Sequence, residues 1–347
     1  QMVSRGTLAS GNRPLWSPAL EGPGRGFQEV WYMKLNDAAA SRALWLRFTI
    51  LVRSDGSKRV AETWAIDFHC GEGGVAKTAL KRTCRLDAFV PNPPGETPGF
   101  HIGDCAFSDK ATRGVIERDG HAIRWELELR PARDLAFDFV PASMARARLI
   151  KNTALTVFED LRFSGWSEVD GDRVAWRDAP GMQGHLAGPK NGHSWAWGHC
   201  NLFTDETGQP VDCIWDGLTA RARLGGSRAT PPMTSMLIHY EGRAYRLNRF
   251  RRALRAPSQF DVDGWRFEAV FGAVSFHGRV RAARDQFAGV TYEDTDGSLL
   301  YCYNSKVSDM TIEVRRDDRI EKTLTAMGTT AFEIVTRERW DDVPLLI

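Results

Sequence analysis

Between Gly181 and Phe203 the chain places Gln183, His185, His193, Trp195, Trp197, His199 and Asn201, which include three of its eight histidines and two of its twelve tryptophans. A histidine titrates near working pH and can give or take a proton, its commonest catalytic task. The amides of Gln183 and Asn201 can orient a substrate oxygen or a water. Indole faces attract a developing cation, as forms when an alkene is protonated. Read as an extended strand, the second half of this stretch turns His193, Trp195, Trp197, His199, Asn201 and Phe203 one way and Ser194, Ala196, Gly198, Cys200 and Leu202 the other. Large rings interspersed with hydrogen-bonding groups suit the wall of a pocket that holds an apolar ligand and acts on it. The competing reading is a set of core histidines hydrogen-bonded beside tryptophans. The spacing of His185, His193 and His199 matches no zinc motif, so no metal centre is expected.

Three further sets of residues bear on the chemistry. Glu29 and Glu62 fall inside strand patterns, where apolar surroundings would raise a carboxyl pKa and make it a proton donor. The alternative is a structural pair of either glutamate with Arg47 on a neighbouring strand. Trp31, Trp45 and Trp64 join Trp195 and Trp197 as pocket walls or as core. Tyr240 and Asn304 are further substrate-binding candidates. Gly71-Glu72-Gly73-Gly74 lacks the Lys-Ser/Thr of a phosphate loop, and no nucleophile elbow or dinucleotide fingerprint occurs.

The elements that must position these residues are strands. Phe27–Leu35, Ala43–Val52 and Val60–Cys70 alternate and are separated by Asn36-Asp37 and by Ser54-Asp55-Gly56-Ser57, the pattern of an antiparallel meander. Similar runs recur to Phe332–Arg337, with turns such as Asp119-Gly120, Asp170-Gly171, Asp263-Gly264 and Asp296-Gly297. Only the tract around Pro141 to Ala154 hints at a short helix or irregular connection. Met2 to Gly26, broken by Pro14, Pro18 and Pro23, reads as an irregular lead-in that wraps over something else. The fold class is mainly β with little helix. Many antiparallel strands tend to close their sheet and remove its edges, so the expectation is two consecutive barrels or barrel-like sandwiches, residues 1–180 and 181–347.

Composition narrows the partners. Hydrophobic residues make up 42% of the 347, and 46 basic against 44 acidic residues leave a formal charge of +2. That balance offers no footprint for nucleic acid or anionic membrane. The basic run Arg249 to Arg255 reads as a solvated loop or edge. No apolar run reaches membrane-span length, and no secretory leader is visible. Six scattered cysteines without a C-x-x-C pair suit reduced thiols and a cytoplasmic location. Oligomeric state is not legible.

With these residues in view, the chain resembles the two-domain lipocalin-like superfamily of carotenoid hydratases, tocopherol cyclases and attachment-locus proteins. The resemblance is carried by Phe27-Gln28-Glu29-Val30-Trp31-Tyr32, by Leu44–Thr49 with Ala61-Glu62-Thr63-Trp64, and by Gly184-His185 with Trp195-Ala196-Trp197-Gly198-His199-Cys200-Asn201-Leu202-Phe203. It implies an enzyme without a bound redox cofactor that protonates, hydrates, cyclises or isomerises an unsaturated hydrophobic molecule, isoprenoid- or polyketide-like, in terpenoid or other secondary metabolism. His185, His199, Glu29 and Glu62 are then the candidate proton-transfer groups, and Trp31, Trp64, Gln183, Trp195, Trp197, Asn201, Tyr240 and Asn304 the candidate substrate contacts. The alternative is a lipocalin-like carrier that binds a lipid or pigment unchanged.

Overall fold

A computed structural model describes residues 11–20, 22–140, 152–225 and 228–347. Among the described residues the first sheet contains β1 (Phe27–Asp37), β2 (Arg42–Val52), β3 (Arg59–Gly71), β4 (Gly74–Arg85), β5 (Phe89–Pro91), β6 (Gly99–Ile102), β7 (Cys105–Ser108), β8 (Ala111–Arg118), β9 (His121–Pro131), β10 (Phe137–Asp138), β11 (Thr153–Val169) and β12 (Asp172–Gly188). Its order is 4-3-2-1-12-11-9-8-7-6-5, with β10 beside β11 and every neighbour antiparallel. The two ends curl together, and Arg82 on β4 pairs with Asp104 at 3.2 Å. The sheet is thus a nearly closed barrel.

The second sheet begins at β13 (Ser194–Cys200) and continues through β14 (Phe203–Thr204), β15 (Pro210–Val211) and β16 (Cys213–Arg221). A small separate ribbon, β17 (Arg223–Gly225) with β18 (Arg228–Ala229), interrupts it. There follow β19 (Met233–Tyr240), β20 (Arg243–Leu247), the helix α1 (Phe250–Arg255), β21 (Ser258–Asp261), β22 (Gly264–Phe271), β23 (Val274–Arg281), β24 (Ala288–Glu293), β25 (Leu299–Arg316) and β26 (Arg319–Thr336). The main order is 20-19-16-13-26-25-23-22-21. The architecture is mainly β with two barrel-like sheets, as the alternating patterns led us to expect.

Three details differ from the sequence reading. Gly181–Gly188 is the end of β12 and belongs to the first sheet, so the sheets divide at 189–193 and not at 180. Arg249 to Arg255 is largely helical: Ala253 is its buried contact and the arginines face water. The connection expected around Pro141 to Ala154 lies mostly outside the described residues, and β11 begins at Thr153.

Inward residues fill both lumens. Trp31, Phe48, Phe100, Phe107 and Trp125 pack the first, and Trp215, Trp265, Phe267, Phe276 and Phe332 the second. The outer faces are not free either. All eleven residues of β2 are buried, because its outward set (Ala43, Trp45) packs with Trp64, Ile66 and Phe68 of β3 against Val290, Tyr292, Leu300 and Cys302 of the second half. A second contact joins Phe137, Phe139 and Met182 to Trp197, Ile214, Leu237 and Ala331. The two sheets therefore stand back to back, and strands buried on both faces lose the in-out polarity that usually marks a half-exposed sheet.

Candidate functional site: two buried polar clusters

The predicted polar residues separate into two clusters. The first lies inside the first barrel. Trp31 and His185 are cross-strand partners on β1 and β12, and their rings stack at 4.8 Å with 9° between planes. His185 Nε2 lies 2.8 Å from Glu29 Oε1, and Nδ1 lies 2.6 Å from the Gly11 carbonyl oxygen. Each ring nitrogen of His185 thus faces an oxygen. Glu29 also accepts from the backbone N–H groups of Leu15 and Trp16 at 2.7 and 2.9 Å. Asn12 donates to Gln183 Oε1 and Asp109 Oδ1, and its carbonyl accepts from Trp31 Nε1. Burial lifts the Asp109 carboxyl to about 6. Residues 11–16 of the lead-in thus stopper the barrel, tied down by Glu29, His185 and Gln183.

The second cluster lies where the two sheets meet. Trp195 and Trp197 extend from β13 toward the first half and, with Tyr32, Trp45, Arg47, Phe139, Leu218, Tyr292 and Glu333, line a cavity of about 90 Å³. The alternation read from the sequence holds over β13 and then stops: Asn201 lies beyond the strand, and Phe203 turns into the second barrel's core. Gly184 faces Tyr32 across β1–β12, and a Cβ there would stand 2.4 Å from the phenol ring, so only glycine lets Tyr32 lie in this position.

Behind Trp197 is a buried carboxyl pair. Asp216 on β16 accepts from Trp197 Nε1 at 3.0 Å and from Thr156 Oγ1 at 2.5 Å. Glu159 on β11 faces Asp216; neither of its carboxyl oxygens has a hydrogen bond among the described residues, and His199 Nε2 lies 3.6 Å from its Oε2. Two carboxylates can share such a site only with a proton between them. Burial, followed by the charge of Asp216, raises the Glu159 carboxyl well above its ordinary range, and burial raises Asp216 as well. With both carboxyls raised, the pair holds a proton that two ordinary acids would have lost. His199 Nε2 donates to the Glu159 carbonyl oxygen at 3.0 Å, leaving Nδ1 without a partner. Burial, with Lys34 nearby, holds His199 neutral. The Tyr32 hydroxyl, kept neutral by burial and by Asp216, interacts with Thr156 and links the cavity to the pair.

Two lysines complete this layer. Lys34 is fully buried, donates to Asn36 Oδ1 and the Thr329 carbonyl, and is lowered to about 8 by burial. Lys306 lies between the Trp45 and Trp197 rings, 5.6 and 5.5 Å from their centroids, and pairs with Glu333 at 2.8 Å. Asn304 also accepts from Lys306. The remaining candidates sit apart. Asn201 donates to Asp160 and the Gly181 carbonyl. Trp64 and Glu62 lie on the outer face of β3, with Trp64 against Arg47 and Lys81, and Glu62 near Thr83 and Lys81. Tyr240 packs inside the second barrel. Arg47 pairs with neither Glu29 nor Glu62, because Glu29 points into the lumen and Glu62 is held by Thr83. Glu159, Asp216, Tyr32 and Lys306 were not singled out from sequence. The available signal was a lone acid in the apolar run Cys213-Ile214-Trp215-Asp216-Gly217-Leu218.

Comparisons agree with the architecture. No family model matches the chain. An uncharacterised protein of Mycobacterium tuberculosis, found in strains CDC 1551 and H37Rv, is 23% identical over 289 residues, 82% of this chain and 80% of the relative. A protein of Oryza sativa subsp. japonica named "Probable tocopherol cyclase, chloroplastic" is 32% identical over 185 residues, 46% of this chain and 38% of the relative. The crystal structure of an AttH-like protein from Nitrosomonas europaea has a TM-score of 0.54 and 11% identity, covering 91% of this chain and 93% of its own. Kievitone hydratase from Nectria haematococca has a TM-score of 0.49 and 9% identity, with coverage of 96% and 95%. The AttH-like likeness shows the fold, and the resemblance carried by the Trp31-Tyr32 and Trp195–Phe203 motifs stands at that level: the chain has the lipocalin-like architecture.

Two expectations follow for the clusters. Replacing Glu29 with Ala strands His185 and two backbone donors in the lumen. Breaking such a buried pair should cost about 3–5 kcal/mol, read as a lower melting temperature with faster proteolysis of the lead-in; an unchanged melt would show that Glu29 does not hold the stopper. The carboxyl pair should make stability depend on pH. Both groups are raised in the folded state, so their contribution is fully present below the ordinary carboxylate range and is lost as pH rises through the raised values. Urea titrations between pH 5 and 8 should show a steeper loss in the parent than in Glu159→Gln. Parallel profiles would count against a shared proton.

Proposed function

We propose that this protein is an enzyme that transfers a proton to or from a largely apolar small molecule held between the two sheets. The observation that carries the proposal is the line of contacts from the cavity through the Tyr32 and Thr156 hydroxyls to the Asp216–Glu159 pair. A carboxyl with a raised pKa is a suitable acid near neutral pH, and hydroxyls in series can relay its proton. Proton arrival at a carbon–carbon double bond leaves a cation, which the Trp45, Trp195 and Trp197 faces would stabilise. That cation then captures water, captures an internal hydroxyl or alkene, or loses a neighbouring proton. The outcomes are hydration, cyclisation and isomerisation, and in each case one proton returns to the pair.

The partial kinship with a protein named as a tocopherol cyclase supports a hydrophobic substrate of this kind. The cavity is smaller than the ~300–1,000 Å³ of a typical ligand pocket. In this proposal only the reacting end of the molecule sits between the sheets, and the rest extends past the partly exposed Leu186, Asn191, Trp195 and Leu218. His199 acts by positioning Glu159 through the backbone. His185 and Glu29 keep the barrel stoppered and take no part in the transfer.

The test is incubation in D2O with an apolar metabolite extract of the producing organism, followed by mass spectrometry. Deuterium bound to carbon in one component is expected, and unlabelled ligand recovered after tight binding would establish a carrier instead. Asp216→Asn and Tyr32→Phe should each lower labelling by about 10²–10⁴-fold with ligand binding retained. Full activity in both variants would overturn the proposed path.

A further inference from the structure

Two charges line the cavity and take no part in this proton path, Glu333, which is paired with Lys306, and Arg47. The side chain is 8% exposed, and its place on β2 turns it outward between the sheets. Its Nε donates to Thr49 Oγ1 at 3.0 Å, while its guanidinium lies 3.8 Å from the Tyr292 ring centroid and 5.3 Å from that of Trp64. Among the described residues no carboxylate lies within 4 Å of it, and its terminal nitrogens have no hydrogen-bond partner. Neighbouring charges are otherwise accounted for. Lys306 is matched by Glu333, Lys34 stands near the single negative charge that a shared proton leaves on the Asp216–Glu159 pair, and Glu62 is taken by Lys81 and Thr83. A buried guanidinium that keeps its charge needs an opposite charge or a full set of acceptors. Stacking on Tyr292 and Trp64 occupies its faces, Thr49 takes the Nε–H, and the terminal N–H groups are left without a protein acceptor beside the cavity.

We infer that the cavity binds a molecule bearing an anionic oxygen, a carboxylate or an enolate, which Arg47 receives at its terminal nitrogens. This rests on the reading that the space between the sheets is the ligand site, and it narrows the substrate class from apolar to apolar with an acidic head. Trp45, Trp195 and Trp197 take the hydrocarbon part, and Arg47 fixes the end from which it enters. For such a molecule the fixed oxygen sets which carbon lies beneath the Tyr32 hydroxyl.

Geranic acid and geraniol are a matched isoprenoid acid and alcohol, and quenching of the cavity tryptophans reports their binding to the full chain. The acid should bind roughly tenfold more tightly or better, the range expected for a charge-assisted hydrogen bond. Arg47→Met, an uncharged side chain of similar reach, should abolish that preference, and Arg47→Lys should keep part of it. Melting curves of the three proteins separate a folding defect, which would weaken acid and alcohol alike. Equal affinities in the parent, an acid preference that survives Arg47→Met, or no saturable binding of the acid would each overturn the inference. An Arg47-dependent acid preference without deuterium uptake would retire the proton-transfer reading and leave the anion site standing. Deuterium uptake with equal binding of acid and alcohol would do the reverse.

Discussion

Two sheets packed back to back bury most of the side chains between them, and that desolvation governs the rest of the molecule. A half-exposed sheet can turn its charges outward at little cost. Here the outward positions of β1, β2, β13, β25 and β26 are interior, so Lys34, Arg47, Lys306 and Glu333 lie where a charge is costly without a partner. Lys306 and Glu333 meet. Glu159 and Asp216 cannot both be ionised at contact, so burial converts two ordinary acids into a proton store. Their unusual state is a consequence of the packing rather than of either residue alone.

The same constraint explains why the lumens are poor sites and the seam between the sheets a better one. The first barrel is filled by aromatic rings and stoppered by residues 11–16, and the second is equally solid around Trp215 and Trp265. Closing a barrel satisfies its backbone but leaves its outer face to be covered by something. Covering one barrel with another brings together two irregular surfaces, and the mismatch between Trp45, Trp195, Trp197 and Tyr292 is where space remains. Ordinary apolar packing on either side holds these rings in place.

The sequence made the scaffold readable through its turns and alternation, and it made the aromatic wall readable through Trp195 and Trp197, whose shared face survives in β13. Partnership was hidden. His185 and His199 look alike in sequence, but one bonds the lead-in and the other a β11 carbonyl, which only long-range pairing decides. Glu159 and Asp216 are 57 positions apart (216 − 159) on strands of different sheets. Gly184 appeared as part of a motif, and its physical reason, the Tyr32 ring lying against it, is a cross-strand fact. Lys306 was masked by a bulge between Ser305 and Ser308, which resets the alternation of β25.

The distribution of unsatisfied polar atoms bears on why this seam is polar at all. Both Glu159 carboxyl oxygens, His199 Nδ1, Asn304 Nδ2 and the indole N–H groups of Trp45 and Trp64 are buried without ordinary donors or acceptors, and all belong to residues of the layer between the sheets. Each such group costs on the order of 1–3 kcal/mol, and an all-apolar seam of the same shape would hold the sheets together at least as well. Stability alone therefore does not account for the arrangement. Strain of this sort is expected where a site is held ready for a ligand or a proton that the resting protein lacks. Of these residues Trp45 lines the same small cavity as Arg47 and Tyr32, and Glu159 and His199 stand in the layer behind Trp197.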